Sequence, residues 1–145
     1  LFFINFRKLF IGLAAFLISG IVSQIMKKII FSDQLRPSKC FSSDQLHYVD
    51  GVVLHSYNSF PSGHATSVFA IFLFLAYILK NKFYQFVFAI IACLTAYSRV
   101  YLSQHFFADV AAGGILGMVS FLIAYSLLNP AKIKWFDKRA KFSFD

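Results

Sequence analysis

Three short fragments of this chain carry side chains suited to phosphate: Arg36-Pro37, Pro61-Ser62-Gly63-His64, and Ser98-Arg99 followed at fixed spacing by His105 and Asp109. A guanidinium presents a rigid fork of donors that matches the oxygens of a phosphate. Two histidines titrating near neutral pH can divide nucleophile and acid roles between them. His105 and Asp109 are four residues apart at a helix start, so they share a face, and the aspartate leans back toward the imidazole. A carboxylate on one ring nitrogen fixes the tautomer and leaves the other nitrogen as a nucleophile or base.

Each fragment also has a plain structural reading. Asp109 can complement a helix dipole beside an interfacial histidine. Arg99 can snorkel to lipid headgroups. Ser62 can cap a helix whose first turn carries His64 at the surface, although Gly63 there permits close backbone approach and free amides make an anion site. The fragments gain their force from occurring together, with Lys28 as a point charge near Arg36.

The elements that must position these residues are membrane-length. With 59% hydrophobic and 14% charged residues, the bilayer is the expected solvent and a single membrane domain the natural count. A helix needs about 20 mostly apolar residues to cross the hydrocarbon core. Leu9 to Met26 is uncharged, with helix extending from about Phe3 to Phe31; further runs cover His64 to Leu79, Phe83 to Tyr97 and Phe106 to Leu128. The middle two are short, which places their ends in the interface. Small residues in the last two, including the GxxxG of Gly113 and Gly117, read as close helix packing within the bundle.

Arg7 and Lys8, Lys80 and Lys82, and the Lys132 to Lys141 cluster fall on one side of four antiparallel spans, which orients that side to the cytoplasm. Trp135 and Phe136 read as an interfacial anchor there. The phosphate-handling fragments lie on the opposite side, where Lys27, Lys28, Arg36, Lys39 and Arg99 break the orientation rule and so call for a functional reason.

The net charge of +8 sits in short clusters between apolar runs, which argues against nucleic-acid binding. Cys40 in a loop and Cys93 in an apolar run are unlike partners for a disulfide, and no zinc spacing is present. His47 and His55, with Asp44 and Asp50, match no compact ligand motif and read as solvated loop residues. Tyr97 and Tyr101 read as belt residues near the outer boundary.

Taken together, the fragments closely resemble the type 2 phosphatidic acid phosphatase superfamily, membrane lipid phosphatases related to the vanadium haloperoxidases. The family signature joins Lys-x6-Arg-Pro, Pro-Ser-Gly-His and Ser-Arg-x5-His-x3-Asp. The second stands intact at Pro61 to His64 and the third at Ser98 to Asp109. In the first, seven residues, Ile29 to Leu35, separate Lys28 from Arg36, one more than the pattern. A bulge near Ser32-Asp33 would absorb the extra residue and keep Lys28 as the best lysine, with Lys27 or Lys39 as substitutes.

The resemblance covers about Lys27 to Leu128 and implies an all-α polytopic membrane bundle. Its members commonly have six spans, so four visible spans imply that two N-terminal helices are missing. It further implies that His105 attacks phosphorus, that Asp109 orients it, and that His64 protonates the leaving alcohol and then helps activate water. Lys28, Arg36, Arg99, Ser62 and Gly63 would hold the phosphate oxygens, with neither metal nor cofactor. The implied partners are the bilayer and a lipid phosphate or pyrophosphate, met at the extracytoplasmic face of a bacterial inner membrane. Undecaprenyl pyrophosphate, phosphatidylglycerol phosphate, phosphatidic acid and lipid A are all candidates that the sequence does not rank. The rival readings are a lipid phosphotransferase and a non-catalytic lipid-phosphate binder or transporter.

Overall fold

The computed structural model describes residues 6–47 and 49–129, and all regular structure among them is helical. Helix α1, Phe6–Ile25, continues into a π-helical turn at Met26–Ile30; a four-residue helix α2, Pro37–Cys40, follows. The remaining helices are α3, Gly63–Leu79, α4, Lys82–Tyr101, and α5, Phe107–Leu128. Phe6–Ile30, α4 and α5 are each long and apolar enough to cross a membrane. Of the two runs expected to be short, α3 is so, with 17 residues. At about 1.5 Å per residue it extends roughly 26 Å, just short of a ~30 Å hydrocarbon core. In the other direction, α4 runs past Tyr97 to Tyr101 and takes Arg99 into its last turn.

α5 packs along both α3 and α1, those two also meet, and α4 lies mainly against α3. Lipid supplies no hydrophobic drive between helices, so close approach of small residues has to hold them together. A Cβ on Gly117 would stand 2.2 Å from the Thr66 carbonyl oxygen, and one on Gly113 would stand 2.5 Å from that of Ser62. The GxxxG pair therefore seats α5 against the first turn of α3, within the bundle. Ala65, Ala96 and Val110 continue this small-residue contact at the site end, while Ile11, Ala15, Phe121 and Ala124 fill the other end. Two buried hydroxyls inside the bundle bond back along their own helix: Ser120 Oγ donates to the Leu116 carbonyl at 2.8 Å and Thr66 Oγ1 to that of Ser62 at 2.9 Å.

The basic residues at the far end are structural as well as topological. Arg7 donates to the carbonyls of Leu128 and Asn129 at 2.9 and 2.7 Å, capping the end of α5 with a cation. Lys8 lies over the Tyr77 ring, 6.0 Å from its centre. Lys80 ends α3 in a left-handed conformation, and the Asn81 side chain accepts from the Phe83 amide to start α4. These basic residues share one end of the bundle, opposite the phosphate-handling fragments. The C-terminal lysines, Trp135 and Phe136 lie outside the described residues.

The candidate active site

Three backbone devices converge at the other end. α4 ends at Tyr101, and the amides of Gln104 and His105 both donate back to the Arg99 carbonyl, at 3.0 and 3.2 Å. This tight connection delivers His105 directly onto the start of α5. Asp109 occupies the third position of α5 and accepts from the Phe106 amide at 2.9 Å, as in a capping box. The amide of Ser62 donates to the Asp109 carbonyl at 2.9 Å, which locks the start of α3 against the start of α5.

His105 and Asp109 are 3% and 5% exposed. The His105 Nδ1 stands 3.4 Å from Asp109 Oδ2. A carboxylate oxygen can only accept, so Nδ1 carries the proton and Nε2 keeps its lone pair. The same Oδ2 accepts from the buried Ser59 hydroxyl. Burial pushes the His105 imidazole below the ordinary histidine range; the Asp109 hydrogen bond pulls it partly back, and the charges of Arg36 and Lys27 press it down again. The balance favours a neutral ring.

His105 opens onto a cavity of about 450 Å³. Gly63, His64 and Ser67 of α3 line it, as do Arg36, His55 and Gln104 from the loops. The first helix contributes Gly20, Ser23, Gln24 and Lys27, a 3-4-7 stripe along one face. Arg36 is 8% exposed and strongly held: its guanidinium donates to the carbonyls of Tyr57 at 2.9 Å, Gln104 at 3.1 Å and Asn58 at 3.4 Å. It thus ties the loop before α3 to the connection before α5, and lines the cavity between them. Arg99 is half-buried and does not line this cavity, but it shares with Lys27, Arg36 and His105 an electrostatic reach onto His64.

Several placements differ from the sequence expectations. Lys28 is exposed and outside the cavity lining, whereas Lys27 is half-buried and part of it. The backbone irregularity that accommodates the long first motif is the π turn at Met26–Ile30, earlier than Ser32-Asp33. A π turn carries an extra residue per turn, which rotates the lysine pair relative to a regular helix. Ser62 makes no capping hydrogen bond; its amide is engaged by Asp109, and its buried hydroxyl has no hydrogen-bond partner among the described residues. Of the Ser62-Gly63 pair, it is Gly63 that lines the cavity. His55 is an exposed loop residue, as read from the sequence, yet it also lines the cavity. His47 packs its ring 4.3 Å from that of Tyr101.

Ser59, Gln104, Ser23 and Gln24 were not singled out by sequence. Ser59 and Asp109 are 50 positions apart, and Arg36 and Gln104 are 68 apart. No local pattern could pair them, although Ser59 stands two residues before Pro61 and Gln104 directly before His105.

Comparison with known proteins agrees with this architecture. The family model of the PAP2 superfamily matches residues 8–133. The chain is 31% identical to lipid A 4'-phosphatase of Porphyromonas gingivalis, over 93% of this chain and 60% of that protein. It is also 31% identical to phosphatidylglycerophosphatase B of Bacillus subtilis, over 94% of this chain and 63% of that protein. It thus spans less than two thirds of the length of these relatives. The crystal structure of Aquifex aeolicus LpxE shares the fold, with a TM-score of 0.66, 23% identity, and coverage of 82% of this chain and 67% of that one. The motifs, the helical frame and the family match converge on one statement: this chain belongs to the PAP2 superfamily.

Proposed function

We propose that this chain is the catalytic part, residues 27–128, of an integral-membrane phosphatase that cleaves a lipid phosphomonoester or pyrophosphate through a phosphohistidine. The observation that carries the reading is the buried His105, its Nδ1 held by Asp109, opening with His64 onto one cationic cavity. In the first step His105 Nε2 attacks phosphorus; the N–P bond forms as the P–O bond to the lipid breaks, and His64 gives its proton to the leaving oxygen. Water then attacks the phosphohistidine, His64 takes the water's proton, and phosphate departs with His105 restored. Negative charge grows on the phosphate oxygens in both steps, and fixed donors aimed at them lower both barriers. Lys27, in the place expected for Lys28, would act with Arg36 and the Gly63 backbone as those donors, and Arg99 would add its charge beside His64.

These cationic side chains supply the charge stabilisation that a metal ion gives in other phosphatases, so turnover is expected to resist chelators. The lipids named for the relatives, lipid A and phosphatidylglycerol phosphate, are the first substrates to test. The clustering of Arg7, Lys8, Lys80 and Lys82 at the opposite end supports a site facing away from the cytoplasm, the periplasm in a bacterium.

The test is phosphate release by the full-length protein in detergent micelles with excess EDTA. Release that persists in EDTA and falls at least about 10⁴-fold in His105→Ala is the expected result. Binding of these lipids without release would instead favour the binder reading.

A further inference from the structure

The cavity is larger than a phosphate group needs and changes character with depth. Its volume of about 450 Å³ falls in the range of roughly 300–1,000 Å³ that holds whole small molecules. Lys27, His64 and His105 form its first layer. One helical turn toward the bilayer centre, Ser23 and Gln24 of α1 and Ser67 of α3 form a second layer, hydroxyl and amide in character and uncharged. Ser23 is 2% exposed, and its Oγ has no hydrogen-bond partner among the described residues. That hydroxyl lies on the Gly63 side of the cavity, 3.2 Å from where a Cβ on Gly63 would stand. A buried donor without a partner is costly unless a ligand completes it. A third layer follows: Gly20 and Gln24 also border an apolar furrow of about 410 Å³ formed by Phe16, Leu17, Ile21 and Ile25.

We infer that Ser23, Gln24 and Ser67 form a linker subsite, which recognises lipid phosphates carrying oxygen-bearing groups next to the phosphorylated carbon. Glycerol esters, hydroxyls and acylated sugars present such carbonyl or hydroxyl oxygens between phosphate and alkyl chain. A prenyl phosphate places bare hydrocarbon there and leaves the buried Ser23 hydroxyl unpaired. Sites built to hydrogen-bond a substrate group reject analogues that lack it far better than apolar pockets reject an extra methylene. The layers thus match a substrate in order: phosphate on the cationic layer, linker on the hydroxyl–amide layer, and chain in the furrow beside Gly20. The inference rests on the phosphatase reading above and narrows its substrate class.

The experiment compares kcat/KM for dioleoyl phosphatidic acid and for geranylgeranyl monophosphate, using the full-length protein in mixed micelles. The wild type is expected to favour the glycerol ester by about tenfold or more, and Ser23→Ala and Gln24→Leu each to reduce that ratio by about 3- to 10-fold. Ser23→Ala removes an unpartnered buried hydroxyl, so folding is not at risk from a lost bond. Gly20→Leu gives an independent reading, because a Cβ there meets nothing within 4 Å. It should lower turnover of dioleoyl phosphatidic acid more than that of the dihexanoyl form. A wild-type ratio near one, or a ratio unchanged in both variants, overturns the subsite while leaving the phosphatase standing. Equal losses on both substrates with an unchanged Tm would place Ser23 in the shared phosphate machinery and also overturn it. No turnover of either lipid while lipid A or phosphatidylglycerol phosphate is still hydrolysed would overturn the subsite alone; no turnover of any of the four would remove the phosphatase reading, and the inference with it.

Discussion

His105 illustrates how a buried cationic surround keeps a nucleophile neutral. Desolvation and the charges of Arg36 and Lys27 oppose protonation, and only Asp109 favours it. Because the folded value lies below the free one of about 6.5, the ring stays neutral at pH 7 and takes a proton only in more acidic solution. An NMR titration of the His105 imidazole should therefore give a midpoint below about 6.5, moving lower still in Asp109→Asn, which loses the proton-favouring carboxylate. A midpoint at or above the free value would contradict this balance. Ser59 works one bond further out. Its hydroxyl donates to the oxygen that faces His105. Ser59→Ala should lower kcat about tenfold, with little effect on KM, through a looser carboxylate. The lysine pair gives a sharper contrast. Lys27→Ala should cost about 10²-fold in kcat/KM, and Lys28→Ala should stay within about threefold, since only Lys27 lines the cavity. Equal effects would mean that the π turn does not set which lysine faces the phosphate.

At the scale of elements, the decisive contact is the crossing of α5 on the first turn of α3. Gly113 and Gly117 bring the Ser62 and Thr66 carbonyls so close that any side chain there must displace backbone. Gly117→Val should destabilise the protein by about 1–3 kcal/mol or more, read as a lower Tm in detergent, whereas Gly20→Ala should leave Tm unchanged because its space is open. This contact was visible in the sequence as a GxxxG, since small residues four apart can only serve close approach. The helix limits of α3 and α5 were also legible to within one residue, because apolar runs bounded by polar motifs mark membrane segments sharply. The π turn was not. With Lys27 as the cavity lysine, eight residues separate it from Arg36, two more than the pattern, and nothing local in Met26–Ile30 distinguishes the turn from regular helix. Ser62 likewise reads as a cap, but tertiary contact with Asp109 claims its amide instead.

For the molecule as a whole, the sequence pointed to two arginines, two histidines and an aspartate at one end of the apolar helices. It could not show their partners, because Ser59, Gln104 and Ser23 reach the site only through contacts between distant parts of the chain. The proposed orientation has a test in the two native cysteines. Cys40 is exposed on α2 at the site end, and Cys93 lies midway along α4, beside an apolar furrow shared with α3 and α5. A membrane-impermeant maleimide applied to intact cells with a permeabilised outer membrane should label Cys40 and leave Cys93 unmodified. Labelling of Cys40 only after lysis would reverse the topology. The proposed mechanism turns on His105 as the nucleophile. The measurement that tests it most directly is alkaline quenching during turnover of a lipid phosphate, followed by peptide mass spectrometry. A phosphoryl group on His105, stable in base and lost in acid, is the expected result. Its absence, with undiminished turnover by His105→Ala, would contradict the phosphohistidine mechanism.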